Sequence, residues 1–320
     1  MDLSVTNDLL ENLMRGDIRS LARAITLVEN RSPDGLELLR RLFPQTGRSR
    51  IIGITGSPGA GKSSLVDRLA ALYRKQNQSL AIIAIDPSSP FTGGAVLGDR
   101  IRMNALATDP GVFIRSMATR GHLGGLAVAT ADVVSVLDAA SRDPILVETV
   151  GVGQDEIDIV KLADVSVVVL VPGMGDDIQA LKAGIMEIGD VFVINKCDRP
   201  GVEKMEHAIQ TLLSLAHRPD GWVPPIIKTV AIEDRGTEEL AETIQRTYEQ
   251  FQTGEQRLQK LRAAARQRLL GLLQERLVRK AMDTAFPNDA MDRIVDQIAQ
   301  RESDPYSIVE DLVRRARFEA

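Results

Sequence analysis

Eight consecutive residues, Gly56-Ser57-Pro58-Gly59-Ala60-Gly61-Lys62-Ser63, fit the pattern G-x-x-x-x-G-K-[ST] at every fixed position. An apolar run, Ile51-Ile52-Gly53-Ile54, precedes them, and a helical pattern of Leu65, Leu69, Leu72 and Tyr73 follows. A strand, a glycine-rich turn and a helix in that order make a cradle for a polyanion. Gly56, Gly59 and Gly61 can take backbone angles that a β-carbon forbids, so successive amides turn inward as a nest that runs into a helix N-terminus. In such a cradle Ser57, Pro58, Ala60 and Ser64 line the loop, Lys62 bridges the β- and γ-phosphates, and the Ser63 hydroxyl ligates magnesium.

A second stretch, Asn195-Lys196-Cys197-Asp198, closes the apolar run Val191-Phe192-Val193-Ile194 about one βαβαβ span downstream. Its pattern is N-K-x-D. Guanine presents N1–H and an amino group on one edge, and the Asp198 carboxylate is suited to accept from both. Lys196 would lay its stem along the purine face, and Asn195 would tie this loop to the phosphate cradle. After the strand-like run ending at Lys228-Thr229-Val230, the Ala231 amide is placed to meet the guanine carbonyl. Cys197, the one cysteine, excludes an internal disulfide framework and reads as filler in the variable slot of the motif.

Three acids stand where strands or loops deliver them to the same edge. Asp86 ends the run Leu80 to Ile85, Asp99 lies among Gly93, Gly94 and Gly98, and Glu148 ends Ile145-Leu146-Val147. Singly, each reads as a solvated loop carboxylate; together with Ser63 they make a hard-oxygen set for magnesium. Glu148-Thr149-Val150-Gly151 occupies the place of a D-x-x-G element, leaving the Gly151 amide to hold a γ-phosphate. Hydrolysis also needs a positioned water, for which Gln154 is the nearest amide side chain beyond Gly151. Arg115 and Arg120 lie in Gly-flanked sequence, and Arg120 joins Lys62, Glu148 and Gln154 as the candidate catalytic set.

With 320 residues, 44% hydrophobic and 26% charged, the chain reads as globular, long enough for a nucleotide-binding domain plus a smaller region. A net charge of -5 excludes a broad basic face for nucleic acid, and the bases between Arg257 and Lys280 are interleaved with acids. No apolar run reaches membrane-spanning length, and the start lacks a signal pattern, so a cytoplasmic protein without membrane or nucleic-acid partners is expected. Residues 3–43 carry helical periodicity broken at Arg31-Ser32-Pro33-Asp34-Gly35. Strand-like runs at 51–55, 81–86, 112–115, 145–149, 165–171, 191–195 and 226–230 alternate with helical stretches, which predicts an α/β fold, a three-layer sandwich around a mostly parallel sheet. The expected division is a helical region over 1–48, a nucleotide-binding domain over 49–252 and a helical arm over 253–320. The arm opens with one long helix carrying Leu258, Leu261, Ala265, Leu269, Leu272, Leu277 and Val278, which must pack on its own domain or on a second copy of the chain; a homodimer is the favoured expectation.

Several blocks together resemble one family, the MeaB/ArgK-type P-loop GTPases, bacterial counterparts of the human methylmalonic aciduria type A protein. They include Ala84-Ile85-Asp86-Pro87-Ser88-Ser89-Pro90, Arg115 through Gly125, Glu148 through Gln154, and Pro172 through Lys182. The resemblance implies a GTPase, slow alone and stimulated by its partner, that chaperones an adenosylcobalamin-dependent acyl-CoA mutase, commonly methylmalonyl-CoA mutase. It implies magnesium near Ser63, Asp86, Asp99 and Glu148, GTP or GDP as bound nucleotide, and no tightly bound organic cofactor. Stretches near 92–104, 115–125, 151–156 and 173–184 would be nucleotide-sensing switches, with Asp176 and Lys182 in the partner-sensing one. Two other classes compete. A nickel- or zinc-insertion GTPase would want thiolate or imidazole clusters, and this chain has three histidines. An ATP-dependent kinase of an amino-acid transport system would be indifferent to guanine, against Asn195-Lys196-Cys197-Asp198.

Overall fold

The structure is a computed structural model and describes residues 3–86, 106–118, 126–149, 162–173, 189–215, 221–253, 255–285 and 290–315. Seven strands form one sheet: β1 (Ile51–Gly56), β2 (Leu80–Asp86), β3 (Val112–Ala118), β4 (Ile145–Glu148), β5 (Val165–Leu170), β6 (Val191–Ile194) and β7 (Ile226–Lys228). Their order is β3-β2-β4-β1-β5-β6-β7, and every pairing is parallel. The seven predicted runs are the seven strands. Each is apolar on both faces because helices cover both.

Ten α-helices occur among the described residues: α1 (Leu3–Met14), α2 (Ile18–Glu29), α3 (Pro33–Leu42), α4 (Lys62–Lys75), α5 (Leu126–Ala139), α6 (Val202–Leu215), α7 (Thr237–Phe251), α8 (Glu255–Ala285), α9 (Ala290–Ala299) and α10 (Pro305–Arg315). On one face of the sheet α4 and α7 bury Leu65, Leu69, Leu240 and Ile244 against Ile52, Ile54, Val167 and Val193. The other face splits: α1, α2, α3 and α5 cover β2 to β4, while α6 packs Met205 and Ile209 on Val168, Leu170 and Phe192. Alternate β5 residues thus enter opposite layers, Val165, Val167 and Val169 to one and Val168 and Leu170 to the other.

The amino-terminal helices are a hairpin stack built into the sheet's own core, since Leu13, Leu21, Ile25, Leu38 and Leu42 share a cluster with Ile83, Val133 and Leu137. Periodicity alone ran α1 and α2 together. They separate at Gly16, whose φ of 87° breaks the helix, and at Asp17, whose carboxylate accepts the Ser20 N–H at 2.7 Å and starts the next one. Ser32 caps α3 in the same way, accepting the Gly35 N–H at 3.0 Å, so the predicted break at 31–35 is where α2 ends and α3 begins.

At the amino-terminal edge of the sheet, carboxylates tie down the chain entering β1 and β5. Asp138 accepts from the amides of Gly47, Arg48 and Ser49, Asp143 from Arg50, Asp164 from Ile51, and Asp190 from Ser166. These amides lie outside or at the start of the parallel ladder, and those of the buried Ser49 and Ser166 would otherwise lack a partner away from water. The opposite, carboxyl-terminal edge is left to the glycine-rich cradle and the segments after β6 and β7.

Helix α8 opens close to the amino-terminal edge. The Lys260 ammonium lies 4.1 Å from the Phe251 ring centre and donates to the Asp164 carbonyl and the Asp190 carboxylate. Further along, Arg268 reaches Asp132 at 2.9 Å and Ser135 at 3.1 Å on α5, and Gly271 comes so close to Val128 that a β-carbon would lie 2.9 Å from it. No helix of the described residues is long and apolar enough to cross a membrane.

Candidate functional site

At the end of β1 the backbone takes the conformations that the glycines permit. Gly56 has a φ of 143°, and a β-carbon there would run into the Val169 carbonyl of β5. Gly61, at a φ of 89°, caps α4 and leaves no room for a β-carbon beside the Asn195 amide. Lys62 is buried with its ammonium folded over the loop, donating to the Gly56 carbonyl at 2.7 Å and the Ser57 carbonyl at 3.0 Å.

Beside this loop, β4 pairs with β1 so that Glu148 stands opposite Ile54. From that register the Ser63 hydroxyl donates to Glu148 Oε1 at 2.7 Å, joining the first turn of α4 to the end of β4. The pairing continues one residue further, the Thr149 N–H donating to the Ile54 carbonyl, and the buried Thr149 and Thr55 hydroxyls bond at 3.0 Å. Asp86 closes β2, two residues beyond the Ala84 that pairs with Glu148. Serine hydroxyl and carboxylate oxygens are hard donors, the set that magnesium takes.

On the other flank, Asn195 follows β6 and is buried at a junction of three loops. Its Nδ2 donates to the Ala60 carbonyl at 2.8 Å, while Oδ1 accepts from the Thr229 hydroxyl at 3.0 Å and the Ala231 N–H at 3.1 Å. Lys196 donates to the Gly59 carbonyl at 2.7 Å. Asp198 lies exposed in the turn beyond. The Cys197 thiol donates to the Ile194 carbonyl, and burial raises its pKa, so it stays a neutral packing group.

The structure therefore gathers Gly56 to Ser64, Glu148, Asn195, Lys196, Asp198 and Ala231 along one edge. Asp99, Arg120, Gly151 and Gln154 lie outside the described residues. Arg115, the last residue of the predicted run 112–115, stands in β3 opposite Ile83, and its guanidinium is paired with Glu29 of α2 rather than free to act as a finger. The Ala231 N–H donates to the Asn195 carboxamide, so a guanine carbonyl would have to share it. Sequence reasoning also passed over Thr55, Thr149, Thr229 and Arg68, whose contacts join parts far apart in the chain; no local pattern marks them.

A parallel sheet of this order with a glycine cradle after its central strand defines a P-loop nucleoside triphosphatase. Residues 21–285 match the family described as methylmalonyl Co-A mutase-associated GTPase MeaB. The chain belongs to this family of P-loop GTPases. It is 46% identical over 311 residues to a Pyrococcus abyssi protein provisionally named a GTPase, spanning 96% of each chain. GTPase ArgK of Escherichia coli is 36% identical over 296 residues, 90% of this chain and 88% of its own. A methylmalonic aciduria type A homolog of Caenorhabditis elegans is 38% identical over 268 residues, 76% of this chain and 67% of its own. The crystal structure of a LAO/AO transport system kinase superimposes with a TM-score of 0.73 at 25% identity over 98% of both chains.

Proposed function

We propose that this protein binds GTP and GDP with magnesium at the carboxyl-terminal edge of the sheet, hydrolyses GTP slowly on its own, and serves as a chaperone of an adenosylcobalamin-dependent acyl-CoA mutase, gating delivery of the mutase's cofactor. The observation that carries the nucleotide assignment is the joining of three distant segments: Ser63 to Glu148 at 2.7 Å, and Asn195 to Ala60 at 2.8 Å. The family match and the methylmalonic aciduria type A relative support the mutase as client.

In this mechanism the loop amides and the amino-terminal end of α4 receive the phosphates. Lys62 exchanges the Gly56 and Ser57 carbonyls for phosphate oxygens, a stronger charge-assisted contact for a buried ammonium. Ser63, Glu148, Asp86 and Asp99 would hold magnesium, which when bound neutralises charge on the phosphates. Asp198 accepts from the guanine edge, and Lys196 lies along its face. Gly151, Gln154 and Arg120 take the roles that the family resemblance implies: γ-phosphate contact, water positioning and charge neutralisation. The second competing class, a transport-system kinase, draws only on the name of a structural neighbour.

Calorimetry with GDP, GTP and ATP in the presence of magnesium tests the assignment. Guanine nucleotides should bind, Lys62→Ala should abolish tight binding, and Asp198→Asn should narrow the gap between GTP and ATP. Retained affinity in Lys62→Ala would overturn the site, and unchanged hydrolysis across cobalamin-dependent mutases would overturn the client.

A further inference from the structure

We propose that Arg68 is a positioning residue for base recognition, holding the peptide planes of Ala231 where a guanine carbonyl meets them; this rests on the nucleotide reading above. Arg68 lies on α4, six residues after Lys62, and faces the short 3-10 turn Ala231–Glu233 that follows β7. Its Nε donates to the Ala231 carbonyl at 3.1 Å, and one terminal nitrogen lies 3.5 Å from the Ile232 carbonyl. Ala231 is 2% exposed, so its carbonyl depends on a protein donor.

The two peptide groups of Ala231 are thus gripped from both sides. Asn195 Oδ1 accepts from its N–H at 3.1 Å, and the Arg68 guanidinium donates to its carbonyl. Behind them Val230 and Arg235 bridge backbone to backbone, closing the loop. A circuit results: the phosphate loop at Ala60, then Asn195, then Ala231, then Arg68, and back along α4 to Lys62. The Asp234 N–H also reaches the Ala231 carbonyl, at 3.3 Å from within the turn itself, so Arg68 is the donor that ties this carbonyl to α4.

A hydrogen bond to a base edge holds only within a few tenths of an ångström, so the amide's placement sets its contribution to discrimination. The Ala231 N–H is shared between Asn195 and the incoming 6-oxo group of guanine. Without Arg68 the carbonyl keeps only the longer bond from the Asp234 N–H inside the turn, and the Ala231 N–H follows the Asn195 carboxamide. The 6-oxo contact is then the one lost, whereas phosphate binding is retained.

Nucleotide titrations of the full chain with magnesium test this, using GDP and the diphosphate of 2-aminopurine riboside, which keeps the 2-amino group but lacks the 6-oxo group and the N1–H, so that the change within each ligand on substitution of Arg68 is what is compared. Arg68→Met should raise the Kd for GDP about tenfold, the loss of one charge-assisted hydrogen bond, and leave the analogue within about twofold. Arg68→Lys, which keeps charge and one donor, should fall between and serves if the methionine variant does not fold. Equal losses for both ligands would show a merely structural arginine and overturn the proposal, as would unchanged GDP binding. Asp198→Asn, run in parallel, should weaken GDP, whose N1–H and 2-amino group the carboxylate accepts from. Were GDP binding unchanged there, the base pocket itself would be misassigned, a failure distinct from that of Arg68.

Discussion

Asp164 is held under β1 with its carboxylate accepting the Ile51 N–H at 2.8 Å, and burial pushes its pKa up to about 6 despite that bond and the nearby Lys260. An unfolded aspartate releases its proton near pH 3.8. Between pH 4 and 6 the folded chain therefore holds a proton that the unfolded chain has lost, so this residue makes stability fall as pH rises through that window. The effect is flat above about pH 6 and amounts to at most about 3 kcal/mol. Asp164→Asn keeps an acceptor for the Ile51 amide and removes the titration. In urea denaturation, its stability relative to the parent chain should rise between pH 4.5 and 6.5 and level off beyond; a constant difference would refute the buried, proton-holding carboxyl. Legibility at this scale followed the length of the pattern. The cradle and Asn195-Lys196-Cys197-Asp198 could be read because adjacent residues share one ligand. Arg68 and Thr149 could not, because each acts on a partner brought in by the fold, Ala231 in one case and Thr55 in the other.

Among the elements, α2, α5 and α8 meet at one nearly buried carboxylate. Asp132 of α5 is 1% exposed and pairs with Arg31, just past α2, and with Arg268 of α8; Arg31 also reaches Glu275 of α8 at 3.0 Å, and Glu275 pairs with Arg279. Removing one partner from such a set leaves charge uncompensated in a place poor in water, at a cost of about 3 kcal/mol or more. Asp132→Asn should therefore destabilise the domain by that amount and raise amide hydrogen exchange along α8, whereas Arg268→Met should raise exchange in α8 with a smaller global loss. Exchange in α8 that is unchanged in both would refute the anchoring. The elements themselves were legible because apolar runs of strand length alternate with helices, and a parallel sheet with two covered faces is what such an alternation can form. The helical turn lost at Gly16, and the way the first three helices share the sheet's core, were not. Amphipathic spacing reports that a face is buried but not what buries it.

At the scale of the whole molecule, α8 attaches to its own domain by its charged and small residues and turns its leucines away. Lys260, Arg268, Gly271 and Glu275 make the inward contacts, while Leu258, Leu261, Leu269, Leu273 and Leu277 are exposed, Leu269 to 67%. Val295 of α9 and Val309 and Val313 of α10 are exposed as well. A helix of 31 residues is about 46 Å long, and a row of leucines on it left in water is the mark of an unfilled interface. We propose that a second copy of the chain covers it, since the same face on each protomer makes a self-complementary, closed contact. Each leucine so covered, about half of it already buried, would contribute roughly 1 kcal/mol, about half of what full burial gives, and the row together offsets part of the entropy of association. Leu269 and Leu273 lie one turn apart on that face and are 67% and 50% exposed, so replacing both with glutamate leaves the core untouched and the fold should persist. Sedimentation equilibrium should then report a dimer for the parent chain at micromolar concentration and a monomer for the double variant. GTP turnover per chain without a mutase should be the same in both, because the nucleotide edge lies in the body of each protomer. A parent chain that sediments as a monomer would refute the second copy as occupant and leave the leucines to a partner of another kind.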